Sequence, residues 1–142
     1  MDITSANAVI MLTAPGVFNT PQRLQQFSAE NIYEMGAIET GEFSMGVDGY
    51  LSAGKTFVMK EQTYTLQADS DSNLVFQQIN RFEESNVVKV PLQGITILPA
   101  IGLQFVSPKG FLKMYPPMPS AGKRLTEVKY SIVWEKVLPQ PA

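Results

Sequence analysis

Carboxylates are the residues of this chain best suited to chemistry, because histidine and cysteine are both absent. Without those two residue types, neither a Ser-His-Asp or Cys-His nucleophile nor the usual zinc sites can be built. The 13 acidic residues could support general acid–base hydrolysis, but most of them fall in predicted turns or on solvent-facing strand positions. We therefore predict no catalytic residue, and a carboxylate hydrolase is the most distant function considered.

Two short segments have the residue types of known ligand sites. Residues 69–73 are rich in oxygen ligands, but they lack the central glycine and terminal glutamate of a calcium loop, and helix capping explains them better. Gly49, Gly54, Lys55 and Thr56 have the residue types of a phosphate-binding loop. A strand rather than a helix is predicted to follow them, so we reject that interpretation. No metal and no cofactor is predicted.

The charge of the chain argues against nucleic-acid binding through the phosphate backbone. The net charge is −2, and Lys123 and Arg124 are the only adjacent basic pair, whereas binding to a phosphate backbone requires a basic stripe. A mildly acidic protein can still enclose DNA without holding it, because like charges keep a passing polyanion from sticking.

Length and hydropathy predict one ordinary folded domain over residues 1–142. The first residues lack the basic start and apolar stretch of a signal peptide. The most apolar segment, residues 95–106, is broken by Pro99 and Gly102 and is shorter than the roughly 20 residues that a spanning helix needs. We predict no membrane segment.

Apolar alternation predicts most of the secondary structure. Residues 9–12 read as a first strand, and residues 21–35 favour extended structure over a helical turn. Phe43, Met45 and Val47 fall on one face of a predicted half-buried strand. In residues 56–68 the apolar face changes parity, which predicts a bulge near residues 60–62.

One helix is predicted at about residues 70–85. Residues 69–72 offer side-chain cap acceptors and negative charge at its start. Val75, Ile79 and Phe82 share one face at helical spacing, so this helix should flank a sheet.

The remaining segments complete the predicted fold class. Residues 87–92 and 95–106 read as covered strands, and residues 111–115 continue the sheet. The cleanest strand places Val128, Tyr130, Ile132 and Trp134 on one face, and the proline-rich tail after it should not extend the ladder. The class is mainly β (β+α), a barrel-like sandwich of about seven or eight mostly antiparallel strands with one flanking helix.

The segment from Gly46 to Gly54 and the strand-to-helix junction from Thr63 to Ser72 carry a family resemblance. A tight turn, a strand and a helix follow one another, and this order resembles the tail-tube (major tail) proteins of contractile-tailed bacteriophages. Those proteins are related in fold to the tube protein of type VI secretion.

The resemblance implies a structural virion protein rather than an enzyme. Copies would form rings, hexameric in that family, that stack into a conduit through which DNA passes without specific binding. Sheath and baseplate proteins would be further partners. The protein would lie in the virion tail after synthesis in the host cytoplasm.

The resemblance also implies interface residues, each with an ordinary structural alternative. The hairpin tip at Asp48, Gly49 and Tyr50 is either a ring-stacking contact or a simple turn. A stiff loop is either a binding loop or a plain connection, and its candidate residues are Tyr115, Pro116, Pro117 and Met118. Residues 94–105 are either an inter-subunit strand or core. The candidate lumen-wall residues form two sets: Lys129, Ser131 and Glu135, or Glu42 and Ser44.

Two rival functions stay open at this point. A tail terminator, adaptor or baseplate ring protein could share the same fold. A monomeric β-barrel could instead bind a small apolar ligand in an interior rich in Met and Phe.

Overall fold

The computed structural model describes residues 8–28 and 32–142. Residues 1–7, which carry the signal-peptide prediction, and residues 29–31, within the segment predicted to be extended, lie outside the described residues. The described chain forms β1 (Val9–Ala14), β2 (Phe18–Arg23), β3 (Tyr33–Met35), β4 (Gly41–Met45), β5 (Leu51–Lys55), β6 (Lys60–Leu66), α1 (Asn73–Asn86), β7 (Leu92–Leu98), β8 (Leu103–Met114), β9 (Val128–Trp134) and β10 (Leu138–Pro141).

Most strands belong to one antiparallel sheet in the order β2-β1-β7-β8-β9-β6-β3, with β10 also paired to β8. β4 and β5 form a separate two-stranded sheet. The predicted mainly-β class with one helix is confirmed, with more and shorter strands than expected. Within the described residues the large sheet does not close into a barrel, because its path ends at β2 and β3.

The sheet curls strongly around its inner face. β8 and β9 separate β6 from β7, and three strand spacings would place β6 and β7 about 14 Å apart in a flat sheet. Yet Nε2 of Gln62 on β6 donates a hydrogen bond to Oγ1 of Thr96 on β7 at 3.4 Å. The curvature is what makes this open sheet barrel-like.

The inner face carries the hydrophobic core. The predicted face of the last strand is confirmed, since its four apolar residues are all buried. Oε1 of Gln62 accepts hydrogen bonds from the hydroxyl of Tyr64 at 2.7 Å and from Nε1 of Trp134 at 3.0 Å. These bonds satisfy three polar groups that would otherwise be costly to bury.

The helix covers one part of this core. It runs from Asn73 to Asn86, close to the predicted range, and Phe76 stacks on Tyr130 with ring centroids 4.0 Å apart. The hydroxyl of Tyr130 donates to Oδ1 of Asn73 at 2.9 Å, so the first turn of α1 is fixed to β9.

The predicted side-chain capping is wrong. Ser72 makes no cap hydrogen bond, because its hydroxyl oxygen accepts from the backbone N–H of Gln25 at 2.7 Å. The Ser70 hydroxyl donates to the carbonyl of the same Gln25 at 2.5 Å. Backbone carbonyls of residues 70–72 satisfy the first helical N–H groups instead.

The predicted single strand over residues 95–106 is a hairpin. β7 ends at Leu98, a 3-10 turn spans Pro99–Ile101, and Gly102 adopts a left-handed φ of 69°. The segment predicted as a strand at residues 87–92 enters the sheet only at Leu92, because Val87 ends the helix with a φ of 53°.

The predicted bulge in residues 56–68 is also wrong. β6 begins at Lys60 and pairs with β9 in one uninterrupted register from Lys60↔Trp134 to Leu66↔Val128. The parity change has a simpler cause: residues 56–59 lie between β5 and β6, and Phe57 and Met59 are exposed there.

The proline-rich tail extends the ladder, contrary to expectation. β10 pairs with β8 from Leu138↔Val106 to Pro141↔Leu103. This pairing continues the register of the β8–β9 pair Gly110↔Trp134. The N–H of Ala142 donates to the carbonyl of Gly102, so alternate N–H positions face β8 and the nitrogens of Pro139 and Pro141 face away from it. Proline fits here because its missing donor is not needed on that side.

Candidate functional site

The two-stranded sheet of β4 and β5 carries the first group of predicted interface residues. Its strands pair from Gly41↔Lys55 to Met45↔Leu51. The N–H of Gly46 donates to the carbonyl of Tyr50 at 2.8 Å, and the N–H of Gly49 donates to the carbonyl of Gly46 at 3.0 Å. Gly49 has a φ of 88°, which glycine adopts without strain. The predicted hairpin is confirmed, with a loop longer than two residues.

This hairpin explains why the phosphate-loop pattern carries no phosphate chemistry. Gly54 and Lys55 end strand β5, and the next element is strand β6. A phosphate loop instead leads into the N-terminus of a helix, whose N–H groups bind the anion.

The hairpin projects its apolar side chains into solvent. Phe43, Met45, Tyr50 and Leu51 are 62%, 65%, 75% and 65% exposed, and the predicted half-buried face of β4 is therefore wrong for the single chain. Gly41 alone in β4 and β5 is buried. Exposed apolar side chains grouped in this way are a common feature of contact surfaces.

The base of the hairpin is built by a close backbone contact. A Cβ on Gly41 would overlap the carbonyl oxygen of Gly54. The N–H of Thr56 also donates to the carbonyl of Thr40. Sequence inspection missed the role of Gly41, although an unexplained glycine at a strand end is a typical sign of close approach.

The second group of predicted interface residues follows β8. Tyr115 is half-buried and its ring lies 6.0 Å from that of Tyr130, whereas Pro117 and Met118 are exposed. Residues 116–119 face the start of α1 across a groove of about 240 Å³. The loop therefore both covers the core and presents an exposed tip.

The two groups lie on different elements, and within residues 8–28 and 32–142 no hydrogen bond joins Asp48, Gly49 or Tyr50 to the loop after β8. Of the candidate lumen residues, Lys129, Glu135, Glu42 and Ser44 are exposed. Ser131 is buried, and its hydroxyl lies 3.0 Å from that of Thr63. Ser131 therefore does not belong to an exposed wall.

A cavity of about 230 Å³ lies at one end of the curled sheet. Its walls are mainly apolar, and the polar side chains that line it include Gln62, Thr96 and Ser107. Sequence analysis missed this site. The available signal was Thr96 itself, a polar residue with Ile95 and Ile97 on either side.

Burial shifts the titration of tyrosines in the core. It raises the pKa of Tyr130 to about 12, and the nearby Tyr115 adds to the effect. Burial also raises the pKa of Tyr64 and, more weakly, of Tyr33. The hydroxyls of Tyr64 and Tyr130, which donate to Gln62 and Asn73, are therefore neutral at physiological pH.

The described ranges contain neither a cluster of metal-ligand side chains nor a helix that could span a membrane. No three His, Cys, Asp or Glu side chains come together there as a metal site would require. The one α-helix in those ranges is too short and too polar to cross a membrane.

The fold is that of chains from contractile injection machines. A chain in the anti-feeding prophage baseplate matches with a TM-score of 0.65 at 8% identity, covering 99% of this chain and 97% of that one. A chain in the PVC sheath/tube terminator matches at 0.60 and 10% identity, covering 99% and 97%. One in the PVC sheath–tube complex matches at 0.57 and 9%, covering 99% and 93%.

The fold is thus one that chains of such assemblies share. The chain belongs to the tail fiber protein gp32 family, whose model matches residues 1–138. No curated protein sequence matches it.

Proposed function

We propose that this chain is a self-assembling structural subunit of a tail tube, with hexameric rings that stack into a conduit for DNA. The observation that carries the proposal is the exposed apolar hairpin of β4 and β5. The role requires shape and contact rather than bond-breaking.

The energetics of the hairpin favour a covering neighbour. A lone two-stranded hairpin is marginally stable in water. Burying each large apolar side chain contributes roughly 1.5–3 kcal/mol, and Phe43, Met45 and Leu51 gain little of this in the single chain. A second copy packed on the hairpin supplies the missing burial.

Other parts of the molecule suit the same role. The ends of the large sheet, β2 and β3, offer edges through which neighbours in a ring could join. The net charge of −2 suits a channel that lets DNA pass without binding it. We place the protein in the tail of a virion or related particle, in contact with sheath and baseplate proteins, after synthesis in the host cytoplasm.

A ring in the baseplate or at the tube terminus is the second candidate. It is supported by the structural matches to chains of a baseplate and of a tube terminator, beside the match to the sheath–tube chain. Such a protein would form one ring and would not stack on itself.

Light scattering and negative-stain electron microscopy of the purified protein test the proposal. We expect rings and stacked tubes from the unaltered protein. Asp48→Lys, which reverses the charge at the hairpin tip, and deletion of residues 116–119 should each leave rings that do not stack. Glu84→Lys, on the exposed side of α1, is the control that should stack normally.

Three results would count against the proposal in different ways. A monodisperse species near 15.7 kDa at high concentration would exclude self-assembly and favour the ligand-binding barrel. Rings that never stack would favour the baseplate or terminator role. Tubes of normal length from both altered proteins would remove the hairpin tip and the loop from the stacking contact.

A further inference from the structure

The large sheet has an outer face, opposite the core, that is apolar over four neighbouring strands. Ile10 and Leu12 of β1 are buried in the core, so Val9 and Met11 point to the other side, because successive side chains of a strand alternate. The strand register carries this alternation across β7, β8 and β10. The apolar side chains of the outer face are Val9, Met11, Ile95, Ile97, Val106 and Leu138.

This outer face is partly open to water in the single chain. Five of its six side chains are half-buried, and Leu138 is 44% exposed. Among the described residues, none of the six is one of the apolar side chains that pack against the core. A contiguous apolar face of this kind is suited to a protein contact.

One row of side chains across the outer face ends in a positive charge. Met11 pairs with Ile95, Ile95 with Val106, and Val106 with Leu138. On the other side of Met11, the paired residue on β2 is Arg23. Arg23 is exposed and makes no ion pair within the part of the chain that the structure describes.

The hairpin of β4 and β5 has one apolar and one polar face. The apolar face consists of the pairs Phe43↔Ala53 and Met45↔Leu51, and the polar face consists of Glu42↔Gly54 and Ser44↔Ser52. The loop that joins the two strands carries a negative charge at Asp48, which is exposed. Over the described ranges Asp48, like Arg23, has no ion pair.

The dimensions of the two surfaces agree. The row from Arg23 to Leu138 crosses five strands, and four strand spacings of roughly 4.8 Å give about 19 Å. The five residue steps from Phe43 to Asp48 span at most about 17 Å. A hairpin laid along the row with Asp48 at Arg23 therefore keeps its apolar face on the apolar part of the row. It would cross the strands of the large sheet at about a right angle, one of the two usual arrangements of packed sheets.

We propose that the apolar face of the hairpin of one copy packs on the outer face of a neighbouring copy, with Asp48 paired to the neighbour's Arg23. The contact rests on the proposed function, because it requires copies of the chain to associate. Apolar burial supplies the affinity, and the charge pair fixes the direction in which the hairpin lies.

Charge reversal in the 142-residue chain tests the contact. We expect Asp48→Arg and Arg23→Asp each to weaken self-association at least about fivefold at low salt, measured by sedimentation equilibrium. An equimolar mixture of the two variants should associate within about threefold of the unaltered protein. In that mixture each hairpin again finds a face of opposite charge on the other variant, whereas a contact within one copy would not be restored by mixing.

Control variants separate the two faces of the hairpin. Glu42→Arg makes the same charge reversal on the polar face and should change self-association less than about threefold. Met45→Ser, on the apolar face, should weaken it at least about tenfold, because the methionine is no longer buried on association. All four substituted positions are exposed, so native circular dichroism is expected.

The outcomes separate this contact from the function on which it rests. If the unaltered protein does not associate, both proposals fail. If it associates but Asp48→Arg leaves the affinity unchanged, or the mixture of reversed variants stays dissociated, the docking contact is wrong and self-assembly stands. A loss with Glu42→Arg as large as that with Asp48→Arg would assign the effect to net charge and overturn the contact.

Discussion

Trp134 occupies its place in the core because two neighbouring strands present glycine to its ring. Gly94 on β7 and Gly110 on β8 both lie against this indole, and a Cβ at either position would overlap it. The sequence shows the glycines and the tryptophan, but not that they meet, since the contact depends on the register of strands far apart in the chain.

Gly94→Ala should therefore be strongly destabilising. The added Cβ would lie 2.7 Å from Cη2 of Trp134 and 3.3 Å from Cδ2 of Leu12, and both neighbours are fully packed. Overpacking of this kind costs roughly 1–3 kcal/mol or more, which urea denaturation would measure. Gly54→Ala is the matched control, because its Cβ meets no atom within 4 Å; equal losses in the two variants would contradict the explanation.

At the scale of elements, the sequence predicts a strand or a turn correctly when the signal for it lies within one short stretch of the chain. The alternation from Val128 to Trp134 and the Asp48–Gly49 turn each carry their own signal, and both are confirmed. The turn from Pro99 to Gly102 was missed because an apolar run on both sides of it resembles one buried strand.

The residues of the candidate site likewise divide into those with a local sequence signal and those without one. Turn chemistry singled out Asp48, Gly49 and Tyr50, because glycine and aspartate suit a hairpin tip. Sequence alone could not show that β4 is exposed in the single chain. Apolar alternation predicts a buried face, but it does not show whether the same chain or another molecule covers that face. The cavity escaped prediction because Gln62, Thr96 and Ser107 come from three strands.

The free energy of unfolding should fall at alkaline pH, because α1 packs on β9 through the buried Tyr130. Burial raises the pKa of Tyr130 to about 12, whereas the unfolded residue titrates near 10. The unfolded state therefore loses its proton first, and the stabilisation present below pH 10 is lost as pH rises towards 12. The loss should be of the order of 2 kcal/mol.

Thermal unfolding at pH 8 to 12 would measure this decline. Tyr130→Phe, which keeps the ring stacked on Phe76, should lower stability at pH 8 and flatten the dependence above pH 10. An unchanged slope in that variant would assign the decline to Tyr64, whose pKa burial also raises.

At the scale of the whole molecule, the margins of the sheet are unlike one another. β10 pairs with β8 on one side only, and the nitrogens of Pro139 and Pro141 face the open side. An edge without N–H donors is a poor template for another strand. The sheet is thus protected at this margin, while β2 and β3 remain as its ends.

Replacing both prolines tests that protection. The double variant Pro139→Thr and Pro141→Thr restores two outward donors, so we expect more amorphous aggregate than in the unaltered protein, seen by negative-stain electron microscopy and as a larger pelleted fraction on brief centrifugation. Thr is compatible with a strand, so native circular dichroism is expected. A variant that forms no more amorphous aggregate than the parent would show that this edge needs no proline.

The hairpin and the ends of the large sheet belong to separate sheets of one subunit, so a stacking contact between them would join unlike surfaces. Such a contact leaves one surface of each kind vacant at the two ends of any stack, however many copies it holds. Such a contact alone sets no limit on the number of copies in the stack. A finished length would have to come from a separate molecular ruler or from a cap that occupies the last vacancy.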